Sequence, residues 1–256
     1  MKTNSYPILD HDDSKSAIIE PSMITKNKPR ISENVVLCFF QDVITKYASA
    51  GKLKKITYLT TEMGKHPIYS FAFKNQTLSV LQPGIGGPFS AALLEEAISL
   101  GGKKFIICGS CGVLDSSVTV GHLLVPHTAI RDEGTSYHYL PAARDIAVNP
   151  RCLTTLTETL TQNQVEFIPC KTWTTDAIYR ETPSKIKKRK EEGCLAVEME
   201  MASLLAVAQF RNVLLGGILY SGDDVGAEKW NSRLFTKQTS TREKLFLLAA
   251  AACINL

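Results

Sequence analysis

Strand-like and helix-like segments alternate along this 256-residue chain, which predicts an α/β fold: a single domain with a mixed, mostly parallel central sheet flanked by helices. Three observations carry that expectation. Short, nearly uninterrupted apolar runs at 104–108 (KFIIC) and 122–126 (HLLVP) have the character of strands buried on both faces of a parallel sheet. Segments with apolar residues at helical spacing lie between such runs. No linker rich in proline, glycine or serine divides the chain, so residues 1–256 read as one domain with an irregular N-terminal segment at 1–34.

The elements follow in order. A short apolar piece at 17–19, ahead of Pro21, reads as an edge strand. Val35, Val36, Phe39, Phe40, Val43, Ile44 and Tyr47 recur at helical spacing and predict a helix over 34–49. Strands are expected at 56–61, 68–73 and 77–82, then a break at PGIGGP (83–88) and a helix over 90–100. The two apolar runs come next, followed by a helix at 149–163, a strand at 167–170 and a helix at 195–210. A strand at 213–220 and a closing helix at 242–254 complete the pattern.

Bulk properties exclude several classes. The chain is 44% hydrophobic and 21% charged, ordinary for a globular protein with a sizeable core. Its 29 basic residues are nearly balanced by 25 acidic ones, so nothing argues for nucleic-acid binding. The densest basic run (Lys185, Lys187, Lys188, Arg189, Lys190) is followed directly by Glu191 and Glu192 and reads as a solvated helix face. The seven cysteines are scattered through apolar stretches, with neither a disulfide framework nor a zinc spacing, and read as reduced core thiols. No apolar run is long enough to span a membrane, and the N-terminus lacks an apolar signal core, so a cytoplasmic location is expected.

Four segments carry candidate chemistry. PGIGGP sits between a strand and a helix; its glycines let backbone approach an anion at a helix N-terminus, or simply make a tight turn. In FIICGSCGVL a buried strand delivers Ser110, either to donate to an anionic oxygen or to cap the strand end. In LAVEMEMASLL, Glu198 and Glu200 flank Met199. They are either helix-dipole partners or buried carboxylates that accept from sugar hydroxyls, with the thioether against the sugar's apolar face. LLGGILYSGDDVG ends a strand in Asp223 and Asp224, a general-acid position for C–N cleavage or an Asp-rich turn.

Together with RDEGTSYHYLP (131–141), the order and spacing of these motifs over 55–225 resemble the nucleoside phosphorylase family, and the RDEGTS segment looks most like its uridine phosphorylase branch. The resemblance implies cleavage of a nucleoside, uridine-like or purine, by phosphate as co-substrate. The products would be free base and ribose 1-phosphate. It implies a phosphate site at Gly86 and Ser110, a ribose site at Glu198, Met199 and Glu200, and a base site at Thr174, Thr175, Ile178, Tyr179 and Asp223. Asp223 and Glu200 would be the catalytic pair. No metal or organic cofactor is implied, no nucleic-acid or membrane partner, and a homo-oligomer (dimer or hexamer) is expected.

The departures lie in the phosphate site. Arginines that family members place there correspond to Ile107 and Met23, and the stretch comparable to a third, from a neighbouring subunit, offers Lys65 and His66. A buried phosphate dianion needs cations, so Lys26, Lys28, Arg30, Lys65 or Arg131 would have to substitute. Otherwise water is the nucleophile, as in the related nucleosidases, or the protein binds nucleosides without turnover.

Overall fold

The computed structural model describes residues 4–256. After a 3₁₀ turn at Pro7–Leu9 the chain forms α1 (Pro21–Thr25), β1 (Asn34–Cys38), α2 (Gln41–Ser49), β2 (Leu53–Thr61), β3 (Gly64–Phe73) and β4 (Gln76–Leu81). Next come α3 (Gly87–Ser99), β5 (Lys104–Val113), β6 (Leu123–Asp132), β7 (Asp145–Ala147), α4 (Pro150–Gln162) and β8 (Phe167–Thr175). The last stretch holds α5 (Pro183–Glu191), β9 (Cys194–Glu198), α6 (Met201–Arg211), β10 (Leu214–Asp224) and α7 (Thr239–Asn255).

The strands join in one mixed sheet in the order β2-β3-β4-β1-β5-β9-β8-β6-β10, with β7 on β6. Strand β10 also pairs in parallel with β5, so β5, β9, β8, β6 and β10 close into a ring and β1 to β4 extend from it. The parallel pairings β4–β1–β5–β10 run through the apolar centre. Val35, Val36, Leu37, Phe105 and Ile106 are fully buried there. The main hydrophobic cluster draws on residues from Ile31 to Leu256, and a smaller one gathers Leu114, Ile130, Trp173, Cys194 and Val197. Helix α7 packs across β1, β5 and β10, while α3 and α6 pack on each other.

Local chemistry explains several boundaries. Asn149 accepts from the Arg151 N–H at 2.9 Å and Pro150 opens α4, a capped start whose missing donor costs nothing there. Helix α6 stops at Asn212, which adopts the left-handed conformation with φ 55°.

Three expectations are corrected. Residues 34–49 are not one helix: 34–38 form the central strand β1, and only Gln41–Ser49 is helical. The β-branched NVVLC run is buried from residue 35 on, and its continuity into α2 imitates a helical period. Residues 17–19 form no strand, and Ile18 is 96% exposed. The 195–210 helix divides into strand β9 and helix α6, so Glu198 ends a strand and Glu200 stands at the helix N-cap.

Helix α3 enters the core at Gly87, where a Cβ would lie 2.3 Å from the Ser203 hydroxyl of α6 and 2.9 Å from that of Thr135. Gly87→Ala is therefore expected to lower stability by about 1–3 kcal/mol, read from urea denaturation midpoints.

Candidate active site

A cleft of about 400 Å³, large enough for one nucleoside-sized ligand, opens where β5, β9 and β10 end. It is lined by Ser110, Cys111 and Gly112 of β5, by Glu198 to Met201, by Asp223 and Val225 at the end of β10, and by Ile178 and Glu181 after β8. Phe39, Ile107, Leu219 and Phe235 add apolar surface, and among the described residues Arg242 of α7 is the one cation on its wall.

The two glutamates have different tasks. Glu198 is buried, and its Oε1 accepts from the Thr174 hydroxyl at 2.6 Å and from that of Thr172 at 3.3 Å. Its Oε2 accepts the backbone N–H groups of Glu200 and Met201 at 2.7 and 2.6 Å. The carboxylate thus caps α6, where a negative charge meets the positive helix end. Burial raises its pKa, and these four bonds oppose the rise. Glu200 accepts from the Gly86 N–H at 2.6 Å and lines the cleft. Burial and the neighbouring Glu198 push its carboxyl up to about 8.

Gly86 has φ 89°, a backbone conformation that favours glycine, and it aims its N–H at Glu200 rather than into the cleft. Ser110 pairs in register with Tyr220 of β10. The Tyr220 hydroxyl donates to the Phe235 carbonyl at 2.8 Å and accepts from Arg242 Nε at 3.1 Å. Burial raises the Tyr220 pKa, against the hydrogen bonding of Arg242 and Ser110. Arg242 Nη1 donates to Asp42 at 3.1 Å and the guanidinium lies over the Phe40 ring. Its Nη2 donates to no protein group among the described residues. Although burial disfavours its charge, Tyr220 and Asp42 hold the Arg242 pKa above its ordinary value.

The two aspartates also separate. Asp224 accepts from Arg233 at 2.6 Å and from the N–H groups of Gly226 and Ala227, so it anchors the turn. Asp223 faces the cleft, with Oδ2 accepting from Trp230 Nε1 at 2.7 Å.

The cleft gathers Ser110, Ile178, Glu198, Met199, Glu200 and Asp223. It leaves out Thr174 and Thr175, which are buried behind Glu198, and Tyr179, which is 95% exposed. Arg131 is corrected as a phosphate ligand: it is buried, and donates to Ser136 at 2.8 Å and to the carbonyls of Pro141 and Leu140 at 2.7 and 3.2 Å. With Glu133, which accepts from Ser136 and Ser203, it staples the 131–141 loop to α6. Met23 lies exposed on α1, and the chain that reaches the cleft beside GSCG is instead Phe39, after β1. None of Lys26, Lys28, Arg30 and Lys65 lines the cleft. The GSCG segment continues β5, and burial raises the Cys108 and Cys111 thiols well above their ordinary range. Among the described residues no cluster of His, Cys, Asp or Glu is placed to hold a metal ion.

Sequence reasoning missed Glu181 and Arg242. Neither sits in a motif; each arrives from a separate element, so no local signal marks it.

The Phosphorylase superfamily model matches residues 34–254. The chain belongs to this superfamily. A guanosine phosphorylase of Halorubrum lacusprofundi is 28% identical, over 66% of this chain and 73% of its own length. A uridine phosphorylase of Treponema pallidum is 30% identical over 56% of this chain, which spans 59% of that relative. The solved purine nucleoside phosphorylase from Toxoplasma gondii in complex with immucillin-H superposes with a TM-score of 0.76 at 20% identity, covering 93% of this chain and 95% of that one, and shows the same fold.

Two outcomes follow from the glutamates. Because the folded Glu200 keeps its proton up to about pH 8 while an ordinary carboxyl loses it near 4.5, the folded state binds the extra proton between those values. Stability of the free protein therefore falls as pH rises through that window, and Glu200→Gln makes the fall shallower in thermal melts. Glu198→Ala strands two α6 amides and two threonine hydroxyls and is expected to cost about 2–4 kcal/mol. Chemical denaturation would measure it.

Proposed function

We propose that this protein is a nucleoside phosphorylase, cleaving the N-glycosidic bond of a nucleoside with inorganic phosphate to give free base and ribose 1-phosphate. One observation carries the reading: a single cleft holds a sugar-accepting carboxylate (Glu200), an acid for the base (Asp223), and a hydroxyl with a cation (Ser110 with Arg242). Glu200 accepts from the ribose hydroxyls, with Met199 beside the sugar. The Ser110 hydroxyl and the open Nη2 of Arg242 hold phosphate. A phosphate oxygen attacks the anomeric carbon as the C–N bond breaks, through a transition state with oxocarbenium character. The departing base takes its proton, or a hydrogen bond, through Asp223. No step requires a metal or organic cofactor. The names of the Halorubrum and Treponema relatives support phosphorolysis and differ in the base.

A second reading, hydrolysis, is favoured by one feature: Arg242 shares its charge with Asp42, and Ile107 and Phe39 are apolar where a phosphate would call for cations. A nucleoside panel followed with and without phosphate separates the two. Phosphorolysis requires ribose 1-phosphate and strict phosphate dependence; free ribose as sole sugar product establishes hydrolysis. Arg242→Met is expected to raise KM for phosphate by about tenfold or more with little change in KM for the nucleoside, read from initial rates.

The same reading takes residues 1–256 as one catalytic domain acting in the cytoplasm in nucleoside salvage, as a homo-oligomer. Ile85 and Ile178 on the cleft wall are 74% and 51% exposed, apolar surface that a second copy would cover. Sedimentation analysis tests this, and a monomer at micromolar concentration would overturn it.

A further inference from the structure

Glu181 is the acid in the cleft to which no role has yet been given. It follows the 3₁₀ turn Ile178–Arg180 and precedes Thr182, whose hydroxyl caps α5 by accepting the Lys185 N–H, so its backbone is held between two fixed points. Its side chain lines the cleft, half-buried, and its carboxyl takes part in no hydrogen bond or ion pair among the described residues. Asp223, arriving from β10, is a like charge that acts on it, and Ile178 and Val225 add apolar surface to the same cleft. The cleft's one cation, Arg242, is tied to Asp42 and Tyr220 and not to Glu181. Burial, with the repulsion of Asp223, pushes the Glu181 carboxyl up to about 7, as expected of an acid waiting for a partner the protein does not supply.

We propose that Glu181 is a specificity-determining residue that accepts a hydrogen bond from an exocyclic amino group of the nucleobase, so that the cleft selects amino-bearing bases over their oxo counterparts. The inference rests on the nucleoside-cleaving reading of this cleft. A flat heterocycle between Ile178 and Val225 presents its edge to two carboxyls. An amino group satisfies such an acceptor. A carbonyl in the same place meets the ionised carboxylate oxygen against oxygen and is matched only when Glu181 takes up a proton, a mismatch that separates close analogues. This turns the choice left open by the sequence, uridine-like or purine, into a choice made by the base edge: uracil and hypoxanthine are disfavoured, and guanine, adenine or cytosine favoured.

The test compares pairs differing at the relevant group: adenosine with inosine and cytidine with uridine exchange amino for oxo, and guanosine with inosine exchanges a 2-amino group for hydrogen. Values of kcat/KM are measured with phosphate for the native protein, Glu181→Gln and Glu181→Ala, with thermal melts confirming folding. The native protein is expected to prefer the amino member of at least one pair by about tenfold or more. Glu181→Ala should collapse that preference. Glu181→Gln, whose amide can donate to a carbonyl, should reverse it or bring it near unity. Ratios unchanged in both variants, or a native preference for inosine and uridine throughout, overturn the proposal. If no nucleoside is turned over, the catalytic reading fails by itself. The same ratios measured as affinities by titration calorimetry then decide Glu181, and absence of nucleoside binding overturns its role as well.

Discussion

The cleft depends on the buried carboxylate of Glu198. Strand β9 ends there and α6 begins two residues later, and a reversal this tight would strand amide N–H groups away from water. Glu198 accepts two of them and, through the hydroxyls of Thr172 and Thr174, ties the junction to β8. Thr174 completes the knot by accepting from the Ala202 N–H at 3.0 Å. A charge in this position is costly without partners, and with four of them it fixes three elements at once. Met199 and Glu200 face the cleft because they form the short span between the carboxylate and the helix it caps.

Once that junction is held, the electrostatics of the cleft follow. Glu198 is satisfied internally, whereas Glu200, Glu181 and Asp223 face a space with a single cation, itself shared with Asp42. Burial and like charge raise the carboxyls of Glu200 and Glu181, so these two hold protons near neutrality. Such a site suits a ligand rich in hydrogen-bond donors. The anion end is correspondingly spare, one hydroxyl and one guanidinium among aromatic and aliphatic side chains.

Much of this was legible in the sequence. Buried strands announced themselves as continuous apolar runs, and PGIGGP, GSCG, VEME and SGDD marked the ends from which the cleft is built. The misreadings share a cause. At 34–49 and 195–210 a strand and a helix abut with no polar break, so a single periodicity covered both. The RDEGTS segment carried the resemblance to the uridine phosphorylase branch and offered Arg131 as a cation, yet its arginine and glutamate are consumed in stapling a loop to α6. Composition cannot tell a cation that meets a ligand from one that meets carbonyls.

By itself the sequence determined the α/β class, the superfamily pattern over most of the chain, and the motifs that bring Met199, Glu200 and Asp223 to the cleft wall, because each lies in a contiguous segment. Tertiary structure alone decided which glutamate is free to meet a ligand, which aspartate faces the cleft, and that Glu181 and Arg242 join them. Those outcomes depend on contacts between residues far apart in the chain: Glu198 with Thr172 and Thr174, Asp224 with Arg233, Arg242 with Tyr220 and Asp42. A hydrogen-bonding group is available for function only after its structural partners are counted, and the folded chain is what brings those partners into reach.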